Sequence, residues 1–206
     1  MSKKKKRIVL GSGSLYFMTF AGSLPSLSDI CTEDNRFSHV KNGASLEYTK
    51  ETITEKDDLG LVQKTAMQTE DATLKVGLMT FCGDTLTHLG ETIRSAPSTE
   101  TGKTLTKIGG ISQADDTSYV WCFHHKDTKD GDIWLLMVGK NSAGCTIGFK
   151  QDGASVIDAE IKAEPADDEG TLVYYYEEDK SESGNSNSGE SGNSNSGESG
   201  NSNSGE

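Results

Sequence analysis

Basic side chains are in short supply in this chain. Its 206 residues hold 20 Lys and Arg against 32 Asp and Glu, for a formal charge of −12. Three of the acidic groups (Glu190, Glu198 and Glu206) belong to a C-terminal repeat, so the rest of the chain still carries 29 acids against those 20 bases. Such a surface lacks the footprint that sequence-specific nucleic-acid binding needs. It does not exclude a surface that DNA slides past. Long apolar runs are lacking too, and none approaches the length that spans a bilayer, so no membrane partner is expected. Cys31, Cys82, Cys122 and Cys145 are widely spaced, with no Cys-x-x-Cys pair. A domain of this size has no need of a disulfide scaffold, and free thiols are expected.

Motifs that carry chemistry are also missing. Gly102-Lys103-Thr104 invites comparison with a phosphate loop, but Pro97 stands where that loop requires glycine, and a strand follows where a helix should. Gly11 and Gly13 lack the third glycine of a dinucleotide fingerprint. Cys122, His124, His125 and Asp127 lie close together, yet no second ligand pair with metal spacing accompanies them, and His39 and His88 stand alone. A Cys–His nucleophile would also need an oxyanion loop that is not recognisable here. The acidic runs Asp57-Asp58, Asp115-Asp116 and Asp167-Asp168-Glu169 lack the alternating oxygen spacing of calcium loops and read as solvated turns. The expectation is a non-enzymatic protein with no catalytic residues, no cofactor and no metal.

What the chain does have is a pair of strands apolar on both faces. Tyr119, Trp121 and Phe123 alternate with Val120, Cys122 and His124; Ile133, Leu135 and Met137 alternate with Trp134, Leu136 and Val138. Successive strand side chains point to opposite faces, so both sides need a cover. Residues 125–132 between them are polar, with Gly131, and read as a hairpin connection. One face belongs to the core. The other is closed by a helix of the same chain or by a second copy, and Val120, Trp134, Leu136 and Val138 are then the subunit-interface candidates.

Further strands are expected at residues 8–20 (one bent strand or a glycine-interrupted pair), 40–48, 73–78, 105–108, 145–149, 156–163 and 171–176. The 156–163 run alternates one-sidedly, with Ile157, Ala159, Ile161 and Ala163 inward. A single helix is expected at about 84–95, capped by Asp84, with Leu86, Leu89 and Ile93 on one stripe and a stop before Pro97. Gly90 weakens it by about 1 kcal/mol, so packing must hold it. Many short strands with one helix imply a mainly β fold, an antiparallel β-sandwich or barrel, over residues 8–180.

Two flanking segments fall outside that domain. Residues 1–7 form a basic arm (Lys3, Lys4, Lys5, Lys6, Arg7), either solvated or paired with an acidic neighbour. Followed by Ile8-Val9-Leu10 it resembles the start of a secretory signal, but Gly11-Ser12-Gly13-Ser14 interrupts the apolar stretch, and a strand is the better reading. Residues 181–206 contain Ser-Gly-Asn-Ser-Asn-Ser-Gly-Glu three times over with no apolar side chain, a composition expected to stay disordered.

Several segments resemble one family. They are Asn42-Gly43-Ala44-Ser45-Leu46-Glu47-Tyr48-Thr49, Lys56-Asp57-Asp58-Leu59-Gly60, Glu70-Asp71-Ala72-Thr73-Leu74-Lys75, Lys107-Ile108-Gly109-Gly110-Ile111, the stretch from Val138 to Phe149, Val156 to Ala163, and Asp167-Asp168-Glu169-Gly170-Thr171-Leu172. In this order, from about Ile8 to Glu178, they resemble the major tail (tail tube) proteins of long-tailed phages with flexible, non-contractile tails. The octad tail has no counterpart. The resemblance implies a β-sandwich with a packed helix, hexameric rings of this chain stacked into a hollow tube, and partners such as tape measure and terminator proteins. DNA would pass through without specific binding. The location implied is the virion tail, assembled in the host bacterial cytoplasm.

In that family a long loop after the 40–48 strand reaches the neighbouring ring. Here it falls on residues 49–60, where Lys50, Glu51, Ile53, Glu55, Lys56, Asp57, Asp58 and Leu59 are the inter-ring candidates; their charges suit a partner surface such as the basic arm. Two other readings stay open: the tube of a contractile injection machine or phage-derived bacteriocin, and a secreted β-sandwich binding carbohydrate on Trp121, Trp134 and Tyr174 to Tyr176.

Overall fold

β-Branched and apolar alternation places most of the strands. A computed structural model describes residues 12–149, 151, 153 and 155–178. Among them the order is β1 (Ser14–Thr19), α1 (Leu27–Ile30), β2 (Arg36–Lys56), β3 (Gln63–Leu78), α2 (Gly83–Thr87), β4 (Ile93–Ala96), β5 (Leu105–Ile108), a 3-10 turn (Ile111–Gln113), β6 (Tyr119–His125), β7 (Ile133–Asn141), β8 (Ile157–Glu164) and β9 (Tyr174–Glu177). The fold is mainly β with antiparallel pairing, as expected of a sandwich or barrel. The basic arm (Lys3 to Arg7) and the octad tail lie outside the described residues.

The sheet closes on itself. Its neighbours run β6, β1, β2, β3, β8, β7, and β7 pairs back onto β6. Closure removes the exposed edges that an open sheet would offer. β7 manages this by sharing one edge: Ile133 to Leu136 pair with β9, and Val138 to Asn141 pair with β8. The hand-over falls at Met137, and just past it at Gly139 an added Cβ would sit 2.1 Å from the Lys162 carbonyl oxygen. Gly139→Ala is therefore expected to force the β7–β8 ladder apart and destabilise the barrel by about 2–3 kcal/mol; urea unfolding would read this directly, and an unchanged midpoint would refute the close approach.

Two cores explain the doubly apolar strands. Inside the barrel, Trp121, Phe123 and Met137 pack with Leu15, Phe37, Leu74, Val76, Ile157 and Ile161. On the outer face, Val120, Cys122, Leu136 and Val138 pack with Tyr16 and Ile30. The second core is covered by the chain itself. A strap of residues 20–31 lays Phe20, Leu24, Leu27 and Cys31 across it, and Ala166 and Tyr174 close the other side. α1 is the strap's single turn, capped by the Ser26 hydroxyl accepting from the Asp29 N–H at 3.2 Å.

Within the barrel domain, outside residues 49–60, three elements differ from expectation. The helix expected over 84–95 ends at Thr87, and Cys82 rather than Asp84 stands at its N-cap. Gly90 and the β-branched Thr92-Ile93 disfavour continuation, and residues 93–96 gain more as β4, paired with β5 from Ile93↔Ile108 to Ala96↔Leu105. Leu86, Leu89 and Ile93 nevertheless all reach the barrel core. Residues 145–149 form no strand. Cys145 and Ile147 touch the core without a ladder, because the adjoining edge of β7 is already taken by β8. The last strand begins at Tyr174 rather than near Thr171, since Asp167 folds residues 167–171 into a turn by accepting the N–H of Thr171 at 2.9 Å.

Candidate assembly interface

β2 and β3 are far longer than the barrel needs. β1 pairs with β2 only from Arg36 to His39, and β8 pairs with β3 only from Thr73 to Leu78. Beyond these, Tyr48 to Lys56 and Gln63 to Ala72 pair, among the described residues, with each other alone. At about 3.3 Å per residue this two-stranded ribbon reaches roughly 30 Å past the barrel. The stretch 49–60 is therefore not a loop, as expected from the sequence, but most of one strand of an arm and the start of its turn. The turn, 57–62, is pinned by Asp57, whose carboxylate accepts the Val62 N–H at 2.7 Å while its own N–H donates to the Val62 carbonyl at 3.0 Å.

Thr and Ile explain why this polar run is extended. Thr49, Thr52, Ile53 and Thr54 face Asp71, Met67, Ala66 and Thr65, and β-branched residues favour the pleated backbone. The Thr54 and Thr65 hydroxyls are 2.8 Å apart, and the Tyr48 hydroxyl donates to Glu70 at 2.7 Å. Lys75 pairs with Glu47, and Lys162 with Asp71, each at 3.0 Å. These exposed contacts add little stability, about 0–1 kcal/mol each. Gly43, at φ 78°, lies between Lys41 and Ala44 where the β2–β3 register shifts, the backbone geometry of a bulge.

The arm exposes apolar side chains. Tyr48, Ile53 and Met67 lie along it with Leu46 at its base, and Leu59, Leu61 and Val62 crown its tip, with Leu59 and Leu61 each 80 % exposed. Leu46, Tyr48 and Met67 alternate on the face that runs on from the core residues Leu74 and Val76. Ile53 lies on the opposite face between Glu51 and Glu55. An isolated two-stranded ribbon is at best marginal in water. A ribbon of this length, apolar at the tip and unpaired at both edges among the described residues, has the composition of a docking element.

The inter-ring candidates therefore gather on one structure: Lys50, Glu51, Ile53, Glu55 and Lys56 on β2, with Asp57, Asp58 and Leu59 in the turn. Sequence reasoning missed Leu61, Val62, Met67 and Tyr48. The expected subunit-interface set is corrected. Val120, Leu136 and Val138 are each 1 % exposed beneath the strap, so they offer a neighbour no surface. Trp134 keeps partial exposure, with its ring stacked on His124 at 4.9 Å. Trp121 is fully buried, its indole N–H donating to the Gly139 carbonyl at 3.0 Å. Of the expected aromatic platform, Trp121 drops out by burial, while Trp134 stands opposite Tyr176 in the β7–β9 pairing.

The two adjacent histidines of β6 are each engaged internally through one ring nitrogen. His124 Nε2 lies 2.7 Å from Asp132 Oδ2, and His125 Nδ1 lies 2.8 Å from the Ser12 carbonyl. Cys122 faces Cys31 rather than the histidines. Among the described residues no group of three His, Cys, Asp or Glu is placed to hold a metal. A cleft of about 270 Å³ between α2, β4 and the start of β6 is lined by His88, Glu91, Arg94, Asp115 and Lys140, among others. Its cations have partners: Arg94 donates to the Gly109 carbonyl at 2.7 Å, and Lys140 pairs with Asp116 and Glu164.

Burial pushes the His88 imidazole below its ordinary pKa of 6.5, partly opposed by Asp84. The ring packs on Phe17 at 4.6 Å and meets the Tyr119 hydroxyl at 3.2 Å. A base whose folded pKa is depressed binds protons less well than in the unfolded chain. Its contribution is complete above pH 6.5 and is lost as pH falls below that toward the folded value. The urea midpoint should fall between pH 8 and pH 5 in the native chain, and less steeply in His88→Gln; identical slopes would contradict the assignment.

No protein-family model matches the chain, and no curated protein does.

Proposed function

We propose that this protein is a structural tube subunit, of the kind that builds the tails of long-tailed, non-contractile phages as stacked hexameric rings around a DNA conduit. The observation that carries the reading is the arm. Beyond the barrel, whose ladder closes from β6 round to β7, the chain extends a ribbon of roughly 30 Å with both edges unpaired among the described residues and an apolar tip. A subunit that must grip a neighbour one ring away needs such a reach. The acidic balance suits a conduit, because every neutralised phosphate would add a salt-dependent retention term to passing DNA. The order of sequence segments resembling the tail tube family supports the same assignment. The basic residues Lys3 to Arg7 offer the arm's Asp57 and Asp58 a complementary partner.

Light scattering across protein concentration and salt tests this. Species of at least six subunits are expected as concentration rises. In Leu59→Ser/Leu61→Ser the concentration needed should increase at least about tenfold, since burying one leucine is worth about 1.5–3 kcal/mol. An assembly threshold unmoved by that double substitution would remove the tip from the contact.

A further inference from the structure

Cys31 and Cys122 lie 91 positions apart, yet their sulfurs are 3.6 Å from each other. Both thiols are free. Cys31 closes α1 as its C-cap, its N–H bonded to the Leu27 carbonyl at 3.1 Å. Cys122 points outward from β6 into the second core and is fully buried, whereas Cys31 is partly exposed. The contact thus sits where the strap of residues 20–31 meets the strands it covers. Apart from that contact, the strap is held by the apolar side chains of Leu24, Leu27 and Ile30 and by a few hydrogen bonds. The Asn35 amide donates to the Asp29 carbonyl at 2.9 Å, and the Phe20 N–H to the Ser118 carbonyl at 3.0 Å.

We propose that Cys31 and Cys122 form a reversible thiol–disulfide staple, oxidised by low-molecular-weight disulfides such as oxidised glutathione, which fastens the strap over the second core. The two thiols divide the work. The hydrogen bond from Cys122 pulls the Cys31 thiol below its ordinary range, against its own burial and with help from the Lys126 ammonium. The same bond, together with burial, pushes Cys122 up. Cys31 is therefore the attacking group and Cys122 the resolving one. The Cys31 thiolate attacks one sulfur of oxidised glutathione, the glutathione S–S bond breaks, and one glutathione leaves as a thiolate that takes up the Cys31 proton. Cys122 then attacks the Cys31 sulfur of the mixed disulfide, the second glutathione leaves, and it takes the Cys122 proton. Two protein thiols are oxidised to one disulfide, and one oxidised glutathione is reduced to two thiols.

The closed loop is long, so the staple constrains the unfolded chain strongly. It also fixes the cover of the outer faces of β6 and β7, which a loosened strap would expose. The inference is independent of the tube reading.

The test uses the full-length chain in glutathione buffers of graded oxidation, with alkylation after unfolding, peptide mapping and thermal unfolding of each sample. A Cys31–Cys122 linked peptide is expected, with Tm raised by about 10 °C and both changes reversed by dithiothreitol. Cys31→Ser should leave Cys122 unmodified and abolish the rise in Tm. Cys31 held as a glutathione adduct while Cys122 remains alkylatable would overturn the proposal. So would a linked peptide with no rise in Tm.

Discussion

Cutting the arm back to Glu51 and Thr69, joined by an Asn-Gly turn, should give a folded chain that no longer stacks beyond a single ring. The pairs removed, from Thr52↔Met67 to Lys56↔Gln63, touch only each other. No barrel ladder and no buried core residue is lost with them. Asn-Gly supplies the positive φ values that a two-residue hairpin requires, and the remaining Glu51↔Thr69 pair fixes the register. Thermal unfolding should therefore match the native chain, or improve slightly as exposed apolar surface goes. Sedimentation should show the opposite of tolerance: loss of every species above a single ring. Tubes of normal length from the shortened chain would leave the arm without a role in assembly.

Trp121→Ala should have the largest effect on stability. The indole is fully buried at the centre of the barrel. It meets Phe37 edge-on at 5.0 Å and stacks near Phe17 at 5.9 Å, and its N–H satisfies the Gly139 carbonyl. Truncation opens a cavity and orphans a buried acceptor, at a combined cost of about 4–5 kcal/mol. Against a typical total of about 5–15 kcal/mol, that is enough to leave much of the protein unfolded at 37 °C. Circular dichroism with urea titration would register it. A loss under about 1 kcal/mol would mean that the barrel is not organised around this ring.

The strands that bury something were readable from residue order. Ile157, Ala159, Ile161 and Ala163 alternate against charges and form β8 with that face inward. The two apolar faces of β6 and β7 were equally plain. What covered the second face was not, because the strap offers only scattered apolar residues (Phe20, Leu24, Leu27, Ile30) with no period of its own. Its order follows from tertiary contact. The helix expected to 95 failed for a related reason: Leu86, Leu89 and Ile93 keep helical spacing, but spacing alone does not say whether the backbone continues through Gly90 or turns into a paired strand. The arm was hidden because neither of its faces is buried. Hydrophobic alternation is the main strand signal, and residues 49–56 have little of it. The readable sign was the β-branched run Thr52-Ile53-Thr54 set among charges, which favours extended backbone even without a core to face.

Electron microscopy of the purified full-length chain, at high concentration and over a range of ionic strength, tests the tube assignment most directly. Rings of six subunits around an open channel, stacking into tubes with density bridging successive rings at the position of the arm, are the expected result. Uniform monomers at every concentration and salt would contradict it.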